Sequence, residues 1–246
     1  MKKWSCPELP DSYRRGNTCY TLKNKNLTKQ PKFTLVTSIT DVIIRQVSKN
    51  QYSDALELLS EFLAKDSTNY PVWLVVCGSA ALQTHGIIRR ATKDVDIFAE
   101  RNEVTSEFGA AYPLSPVVQK AIKSVAAILK LPENWLNAST SFFQLPLGEY
   151  PAYFWSDLKD EKYGSHVKVS YLSPRGLITL KTLAALQRDA ARDTLDLIAL
   201  APTETNMQEA LDWCLSTTVD RSAAAPQIAT LLTRLNHGNL TQRYQA

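Results

Sequence analysis

Two aspartates separated by one residue interrupt an apolar segment of the chain, in the order Asp94-Val95-Asp96-Ile97. Side chains i and i+2 of a β-strand project from the same face, so the two carboxylates would point in one direction. Like charges this close repel each other unless a cation lies between them. Hard carboxylate oxygens, together with water and substrate phosphates, suit Mg²⁺. The pair therefore predicts a site for Mg²⁺ or Mn²⁺.

The same aspartates have a structural alternative, in which they are exposed acids on an edge strand and form salt bridges with Arg89 or Arg90. In the metal interpretation, the pair can hold two ions, one at the attacking oxygen and one at the triphosphate and leaving group. The spacing of Asp94 and Asp96 is compatible with both interpretations.

A Gly-Ser pair, Gly78-Ser79, lies upstream of the aspartates at the end of the apolar segment 71–77. Glycine lets a phosphate approach the backbone closely, and the first N–H groups of a following helix point towards an anion. The Ser79 hydroxyl adds one more hydrogen-bond donor. Such turns are common, so the pair indicates a phosphate site only in combination with the aspartates.

The segment 78–98, GSAALQTHGIIRRATKDVDIF, joins both features and resembles the signature of the nucleotidyltransferase superfamily, a Gly-Gly or Gly-Ser turn followed by an Asp-x-Asp between apolar residues. More narrowly, it is similar to the form G-G-x-A-x-x-x-H-G-x-x-R-x-T-x-D-I-D of the DUF6036-type nucleotidyltransferases and of the AbiEii-like toxins of type IV toxin–antitoxin systems. Residues 131–137 and 172–200 also resemble segments of the DUF6036-type group. The resemblance spans residues 70–200.

The resemblance implies an α/β (α+β) fold, with a minimal nucleotidyltransferase core on a mixed sheet and a helical C-terminal part. It also implies that Asp94 and Asp96 are catalytic residues that hold the metal, and that Lys181 is a further catalytic residue. The residues that it implies for nucleotide binding are Gly78, Ser79, Arg90, Lys181 and Arg188. A lysine suits phosphate binding because it carries a point charge on a flexible stem.

The predicted helix 173–189 places Lys181 and Arg188 on nearly the same face. The alternative for Lys181 is an exposed helix lysine without a ligand. Downstream, Asp193 and Asp196 match an R-D-x-x-D continuation, and the resemblance makes both of them candidate catalytic acids. Their alternative is an acid–arginine network that stabilises the helix.

One departure from the family concerns a third carboxylate, which many nucleotidyltransferases carry on a later core strand as a base for the incoming hydroxyl. The predicted strand 165–172 offers Lys168 and Ser170 but no acid. Either Asp193 or Asp196 substitutes for it, or no base is needed, or catalysis is impaired.

These features predict an enzyme that transfers a nucleoside monophosphate from ATP or another nucleoside triphosphate to a hydroxyl group, releasing pyrophosphate. The resemblance implies a toxin of a toxin–antitoxin or phage-defence system, with an RNA such as a tRNA 3′ end as the acceptor and a cognate antitoxin protein as a partner. A protein hydroxyl is the competing acceptor. A different class of function is a catalytically weak nucleotide-binding or partner-binding module with an antitoxin or immunity role, which the missing third acid permits.

Residues 1–32 are strongly basic, with eight Lys or Arg residues against two acids and hence a local net charge of +6. Aromatic residues are interleaved with these bases, so the segment is compatible with an arm that neutralises RNA phosphates. Its alternative is a solvated basic tail. No apolar run approaches the ~18 residues of a membrane span, and no signal peptide is recognisable. We therefore predict a cytoplasmic protein with no membrane partner.

The pattern of apolar residues predicts a basic extension over 1–36, a core with preceding helices over 37–172 and a helical part over 173–246. Strands are predicted at 71–77, 94–100 and 165–172, and helices at 38–49, 53–65 (capped by Ser53 or Asp54), 79–86, 115–132, 173–189, 191–200, 204–217 and 225–237. His85 is predicted to cap the short helix rather than touch the nucleotide, and Cys77 and Cys214 are predicted to be buried thiols. The sequence has neither a P-loop nor a G-x-G-x-x-G motif.

Overall fold

The computed structural model describes residues 39–66, 71–139, 149–188, 191–217 and 219–245. Residues 38–246 form one compact unit. The predicted basic extension, residues 1–36, lies outside the described residues.

Within the described residues, a six-stranded mixed sheet underlies this unit. Its strands are β1 (Val72–Cys77), β2 (Val95–Arg101), β3 (Phe108–Ala110), β4 (Leu136–Asn137), β5 (Lys159–Tyr163) and β6 (Val167–Tyr171). Their order is β3-β2-β1-β6-β5, and β4 pairs with β2. β1 pairs in parallel with β6 and antiparallel with β2. The protein is therefore a mixed α/β fold, compatible with the α+β class that the sequence predicts.

Helices precede, interrupt and follow the sheet. Those in the described part of the chain are α1 (Ile39–Lys65), α2 (Gly78–Thr84), α3 (Pro116–Leu129), α4 (Ala152–Ser156), α5 (Pro174–Arg188), α6 (Ala191–Leu200), α7 (Glu204–Thr217), α8 (Arg221–Arg234) and α9 (Thr241–Tyr244). α1 packs on α3, β5 and β6, whereas α5 packs on α6 and α7. The predicted helices are confirmed best where a cap is present: Ser115 accepts a hydrogen bond from the Val118 N–H, and Ser173 accepts one from the Gly176 N–H.

The buried apolar residues in the described ranges form two clusters that share helix α5. Strand β1 is a continuous apolar run because both of its faces are covered, and its residues Leu74 and Val75 have no exposed surface. Leu177 of α5 belongs to the cluster around the sheet, whereas Ile178 of the same helix belongs to the cluster formed by the C-terminal helices. α5 therefore fixes the C-terminal helices against the sheet. The predicted domain boundary between residues 172 and 173 stays a prediction.

The predicted break between helices 38–49 and 53–65 is wrong. α1 runs without interruption from Ile39 to Lys65, so Ser53 and Asp54 lie inside the helix and do not cap it. The segment contains no glycine or proline, and a serine or aspartate in an otherwise helical pattern does not stop a helix.

Two further differences have local causes. Helix α8 begins at Arg221 instead of residue 225, because the Asp220 side chain accepts a hydrogen bond from the Ala223 N–H at 3.0 Å and caps the helix there. Strand β5 was not predicted, because its sequence Lys-Asp-Glu-Lys-Tyr is mostly charged. It forms an edge of the sheet, where charged side chains are tolerated and discourage pairing with other chains.

Candidate functional site

The turn between β1 and α2 touches the Asp96 carboxylate. Cys77 at the end of β1 pairs with Asp96 of β2, and Gly78 follows with a φ of 65°. A Cβ atom on Gly78 would lie 2.6 Å from Asp96 Oδ2, so both the backbone conformation and the carboxylate require glycine. Ser79 comes next and is half-buried. The structure therefore brings the predicted phosphate-binding turn against one of the predicted metal ligands.

Asp94 immediately precedes β2, Asp96 is the second residue of that strand, and both are half-buried. β2 lies between β1 and β3, so it is an interior strand and not an edge strand. None of the ion pairs found among the described residues includes Asp94 or Asp96. Arg90, a predicted salt-bridge partner in the structural alternative, pairs instead with Asp196. The alternative of edge-strand acids paired with nearby arginines is therefore not observed.

The electrostatic surroundings of Asp96 connect it to several candidate residues. Burial raises the pKa of the Asp96 carboxyl, and the neighbouring charge of Asp94 raises it further. The charge of Lys181, a hydrogen bond from the Asn137 side chain and the charge of Arg188 act in the opposite direction. Asp96 thus lies within electrostatic range of one further carboxylate and of two cationic side chains. This arrangement favours a bound cation near Asp94 and Asp96.

Lys181 of α5 lies between two buried aspartates of α6. Its Nζ is 2.8 Å from Asp193 Oδ1 and 2.8 Å from Asp196 Oδ2. The contact with Asp193 is a hydrogen bond, whereas the geometry at Asp196 Oδ2 is that of an ion pair alone. The Lys181 side chain is only 13% exposed, so the alternative of a freely exposed helix lysine is wrong.

Two arginines complete this ion-pair network. Arg90, in the loop before Asp94, donates a hydrogen bond from Nη2 to Asp196 Oδ1 at 2.5 Å. Arg188, at the end of α5, donates one to Asp193 Oδ2 at 3.1 Å. Three cationic side chains are therefore held by two carboxylates, which leaves one net positive charge in the network. The predicted nucleotide-binding residues Arg90, Lys181 and Arg188 are all brought together by it.

The network is the acid–arginine arrangement that the sequence left open for Asp193 and Asp196. Both aspartates are buried, with Asp196 only 2% exposed, and both direct their oxygens at cationic side chains. This arrangement makes them suited to position Lys181 and its neighbours. Their assignment as catalytic acids stays a prediction.

Two residues that were not predicted lie at the carboxylate pair. Asn137 of the short strand β4 pairs with Asp96 in the sheet and hydrogen-bonds to its carboxylate. Tyr52 of α1 donates a hydrogen bond to the Thr92 carbonyl. Burial, followed by the charges of Asp94 and Asp96, raises the pKa of Tyr52 to about 12. Asn137 ends the segment LPENWLN, which carried the resemblance, but Tyr52 had no sequence signal.

The later strand β6 carries no acid in the structure either. Ser170 accepts a hydrogen bond from Trp73 Nε1 at 2.7 Å and donates one to Asp160 of β5 at 2.6 Å. Lys168 forms an ion pair with Glu103. Both side chains that the sequence offered at this position therefore have structural partners.

His85 is the C-cap residue of helix α2, as predicted, and its backbone N–H donates a hydrogen bond to the Ala81 carbonyl at 3.0 Å. Its Nε2 atom lies 2.9 Å from the Leu172 carbonyl oxygen, in the connection between β6 and α5. His85 thus links the end of α2 to the connection that leads into α5. The two predicted buried thiols, Cys77 and Cys214, are buried, which confirms the prediction.

The donor set of Asp94 and Asp96 fits Mg²⁺ better than a metal that needs a full protein cage. No group of three or more His, Cys, Asp or Glu side chains within the described ranges is arranged to hold a metal ion. Mg²⁺ is commonly held by one or two carboxylates and completes its coordination with water and substrate phosphates. The two half-buried aspartates, which form no ion pair in the described part of the chain, meet that requirement.

Comparisons of the chain with protein-family models, with curated proteins and with solved structures find no match. No helix among the described residues combines the length and apolar character needed to cross a bilayer.

Proposed function

We propose that the chain is a Mg²⁺-dependent nucleotidyltransferase that transfers a nucleoside monophosphate from a nucleoside triphosphate to an acceptor hydroxyl. The observation that carries the proposal is the contact of the Gly78 turn with the Asp96 carboxylate. A triphosphate that lies against this turn meets the carboxylate pair directly. The lack of a Cβ atom at Gly78 lets the Asp96 carboxylate lie against the backbone of this turn.

Asp94 and Asp96 would hold Mg²⁺, which supplies positive charge to the phosphate oxygens when bound. Lys181 and Arg188, whose charges already act on Asp96, would contact the phosphates from α5. Asp193 holds both of these cations in place, and Asp196 holds Lys181 and Arg90. The triphosphate therefore enters a site whose cationic side chains are positioned in advance.

The reaction joins the acceptor oxygen to the α-phosphorus and breaks the bond between that phosphorus and its bridging oxygen. Pyrophosphate leaves, and the hydroxyl proton passes to solvent. No third carboxylate joins the aspartate pair within the described ranges, so we assign no protein base.

The acceptor in this proposal is an RNA, with a tRNA 3′ end as the leading case, or a protein hydroxyl. The resemblance to AbiEii-like toxins supports the RNA acceptor, a toxin–antitoxin or phage-defence role and a cognate antitoxin as partner. The basic residues 1–32 supply positive charge that an RNA would neutralise.

The test is to incubate the protein with labelled nucleoside triphosphates, Mg²⁺ and total RNA, and to analyse RNA and protein separately. Label in RNA supports the RNA acceptor, and label in protein identifies the protein hydroxyl.

The double variant Asp94→Asn with Asp96→Asn should abolish the labelling of both RNA and protein. Glu100→Gln is the matched control, because Glu100 is another half-buried acid on β2 whose pKa is raised by burial. Undiminished labelling by the double variant would contradict the assignment.

A second candidate is a nucleotide-binding or partner-binding module that does not transfer. The observation that favours it is the complete pairing of Lys181 by Asp193 and Asp196, together with the lack of a third acid near Asp96 among the described residues. Binding of a nucleoside triphosphate with no label in RNA or protein would select this candidate.

A further inference from the structure

A cavity of about 250 Å³ lies on the face of the sheet opposite to Asp96. Its floor includes Val95, which neighbours Asp96 on β2 and therefore points to the other face, and Tyr171 of β6. Helices α1 and α2 form its sides through Tyr52 and Ala80. The cavity is thus separate from the carboxylate pair, although Tyr52 lies close to both.

Three tyrosines and several aliphatic side chains line this cavity. The tyrosines are Tyr52, Tyr163 and Tyr171, and the aliphatic residues include Leu56, Ile88 and Val95. Aromatic walls stack on flat rings, and a nucleobase presents such a ring whatever its identity. The volume is smaller than the ~300–1,000 Å³ that drug-sized ligands occupy, so it suits one base with its sugar.

Three polar side chains that line the cavity are connected in series by hydrogen bonds. The hydroxyls of Tyr163 and Tyr171 are 2.8 Å apart, and the Tyr163 hydroxyl donates to Glu161 Oε2 at 2.8 Å. Burial raises the pKa of both tyrosines, so they stay neutral. Glu161 adds a carboxylate that is held by Tyr163 and Lys159, and a carboxylate has about four acceptor positions, so an amino group can bind beside these partners.

The mouth of the cavity carries a cationic side chain. Arg89 is exposed, lines the cavity and forms no ion pair with any residue in the described part of the chain. The Glu161 carboxylate, by contrast, is paired with Lys159 at 2.9 Å. A guanidinium is a good partner for a phosphate because it donates two parallel hydrogen bonds.

We infer that this cavity binds a free nucleoside 5′-monophosphate, with the base and sugar between the tyrosines and the phosphate at Arg89. Glu161 would accept a hydrogen bond from an amino group of the base, so AMP, GMP or CMP should bind better than UMP. This site is distinct from the proposed triphosphate site and needs no metal.

The test is isothermal titration calorimetry of the full-length protein in EDTA, which measures the dissociation constants of AMP, GMP, CMP and UMP. Adenosine and ribose 5-phosphate serve as partial ligands. We expect at least one amino-bearing monophosphate to bind below about 1 mM. Adenosine and ribose 5-phosphate should each bind at least about tenfold more weakly, because each lacks one half of the recognised chemistry.

Two variants locate the binding. Arg89→Gln should weaken monophosphate binding about tenfold or more, since a charge-assisted hydrogen bond is lost. Ser53→Phe, which fills the cavity from α1, should abolish it. Arg221→Gln, an exposed arginine at the start of α8, is the matched control and should change nothing.

The outcomes separate this site from the proposed transferase site. Monophosphate binding in EDTA that survives Asp94→Asn with Asp96→Asn but not Arg89→Gln supports the cavity site, whether or not transfer is detected. No binding by the wild-type protein, or binding unchanged in both Arg89→Gln and Ser53→Phe, would overturn it. Binding that is lost in the aspartate double variant would assign the ligand to the carboxylate pair and also overturn it.

Discussion

Arg90 and Asp196 are separated by 106 positions in the chain, and their side chains are joined by a 2.5 Å hydrogen-bonded ion pair. Arg90 lies in the loop that leads to the aspartate pair, whereas Asp196 belongs to helix α6. The same Asp196 also contacts Lys181 of α5. One buried carboxylate therefore holds the C-terminal helices and the β1–β2 connection in a fixed relation.

Asp196→Asn should destabilise the protein strongly, because it leaves Arg90 and Lys181 without their shared anion. Removing one partner of a buried pair costs about 3 kcal/mol or more in the free energy of unfolding. Asp66→Asn is the comparison, since Asp66 pairs with the exposed Lys120 and such surface pairs contribute at most about 1 kcal/mol. Urea unfolding of both variants measures the difference, and equal losses would show that the network contributes no more than a surface pair.

Gly78→Ala should be more destabilising than Gly86→Ala. Both glycines have positive φ angles, 65° at Gly78 and 71° at Gly86, so each substitution incurs about 1–2 kcal/mol of backbone strain. Only at Gly78 does the new methyl group also meet a carboxylate oxygen, whereas nothing lies within 4 Å at Gly86. Thermal or urea unfolding tests the order, and a Gly78→Ala variant as stable as Gly86→Ala would contradict the contact with Asp96.

Asp96→Asn should raise stability near neutral pH in the absence of metal. Burial and Asp94 raise the pKa of the Asp96 carboxyl in the folded protein, so its contribution to stability is present at low pH. That contribution is lost as the pH rises through the folded-state pKa, because the buried carboxyl then becomes charged. An asparagine at this position stays neutral, so the stability of the variant does not fall for this reason. The variant's advantage in urea midpoint should therefore grow from acidic to neutral pH, and an advantage independent of pH would contradict this account.

Mg²⁺ with a nucleoside triphosphate should stabilise the wild-type protein against heat and should not stabilise Asp94→Asn. At a hundredfold excess over the dissociation constant, ligand binding adds about 2.7 kcal/mol. That amount shifts Tm by roughly 5–10 °C for a protein of this size. Glu100→Gln should respond like the wild type, because Glu100 lies further along β2, away from the turn at Gly78. An equal shift in Asp94→Asn would place the metal elsewhere.

The parts of the fold with local signals were predictable from the sequence. The apolar run of β1, the Ser115 cap of α3 and the Gly78 turn each depend on residues adjacent in the chain. Strand β5 was not predictable, because its charged sequence becomes a strand only by pairing at the edge beside β6. In helix α1 a local signal was misleading, because Ser53 resembles a cap but lies inside a helix that no residue interrupts.

The residue types of the candidate site were predictable from the sequence, but the contacts between their side chains were not. The motif indicated Gly78, Asp94 and Asp96, and the structure places Gly78 against Asp96. The ion pairs of Asp196 depend on where α5 and α6 pack, which no local pattern encodes. Asn137 reaches Asp96 only through the pairing of β4 with β2. These two strands are far apart in the chain, so their pairing depends on the tertiary fold and not on a local sequence pattern.

The central claim is transfer of a nucleoside monophosphate, and a comparison of two labelled substrates tests it most directly. The protein is incubated with Mg²⁺, total RNA and a nucleoside triphosphate that carries radioactive phosphorus at either the α or the γ position. The proposed reaction predicts that the α label becomes attached to an acceptor, that the γ label leaves as pyrophosphate, and that Asp94→Asn with Asp96→Asn abolishes both events. Attachment of the γ label, or α labelling that the double variant retains, would contradict the account.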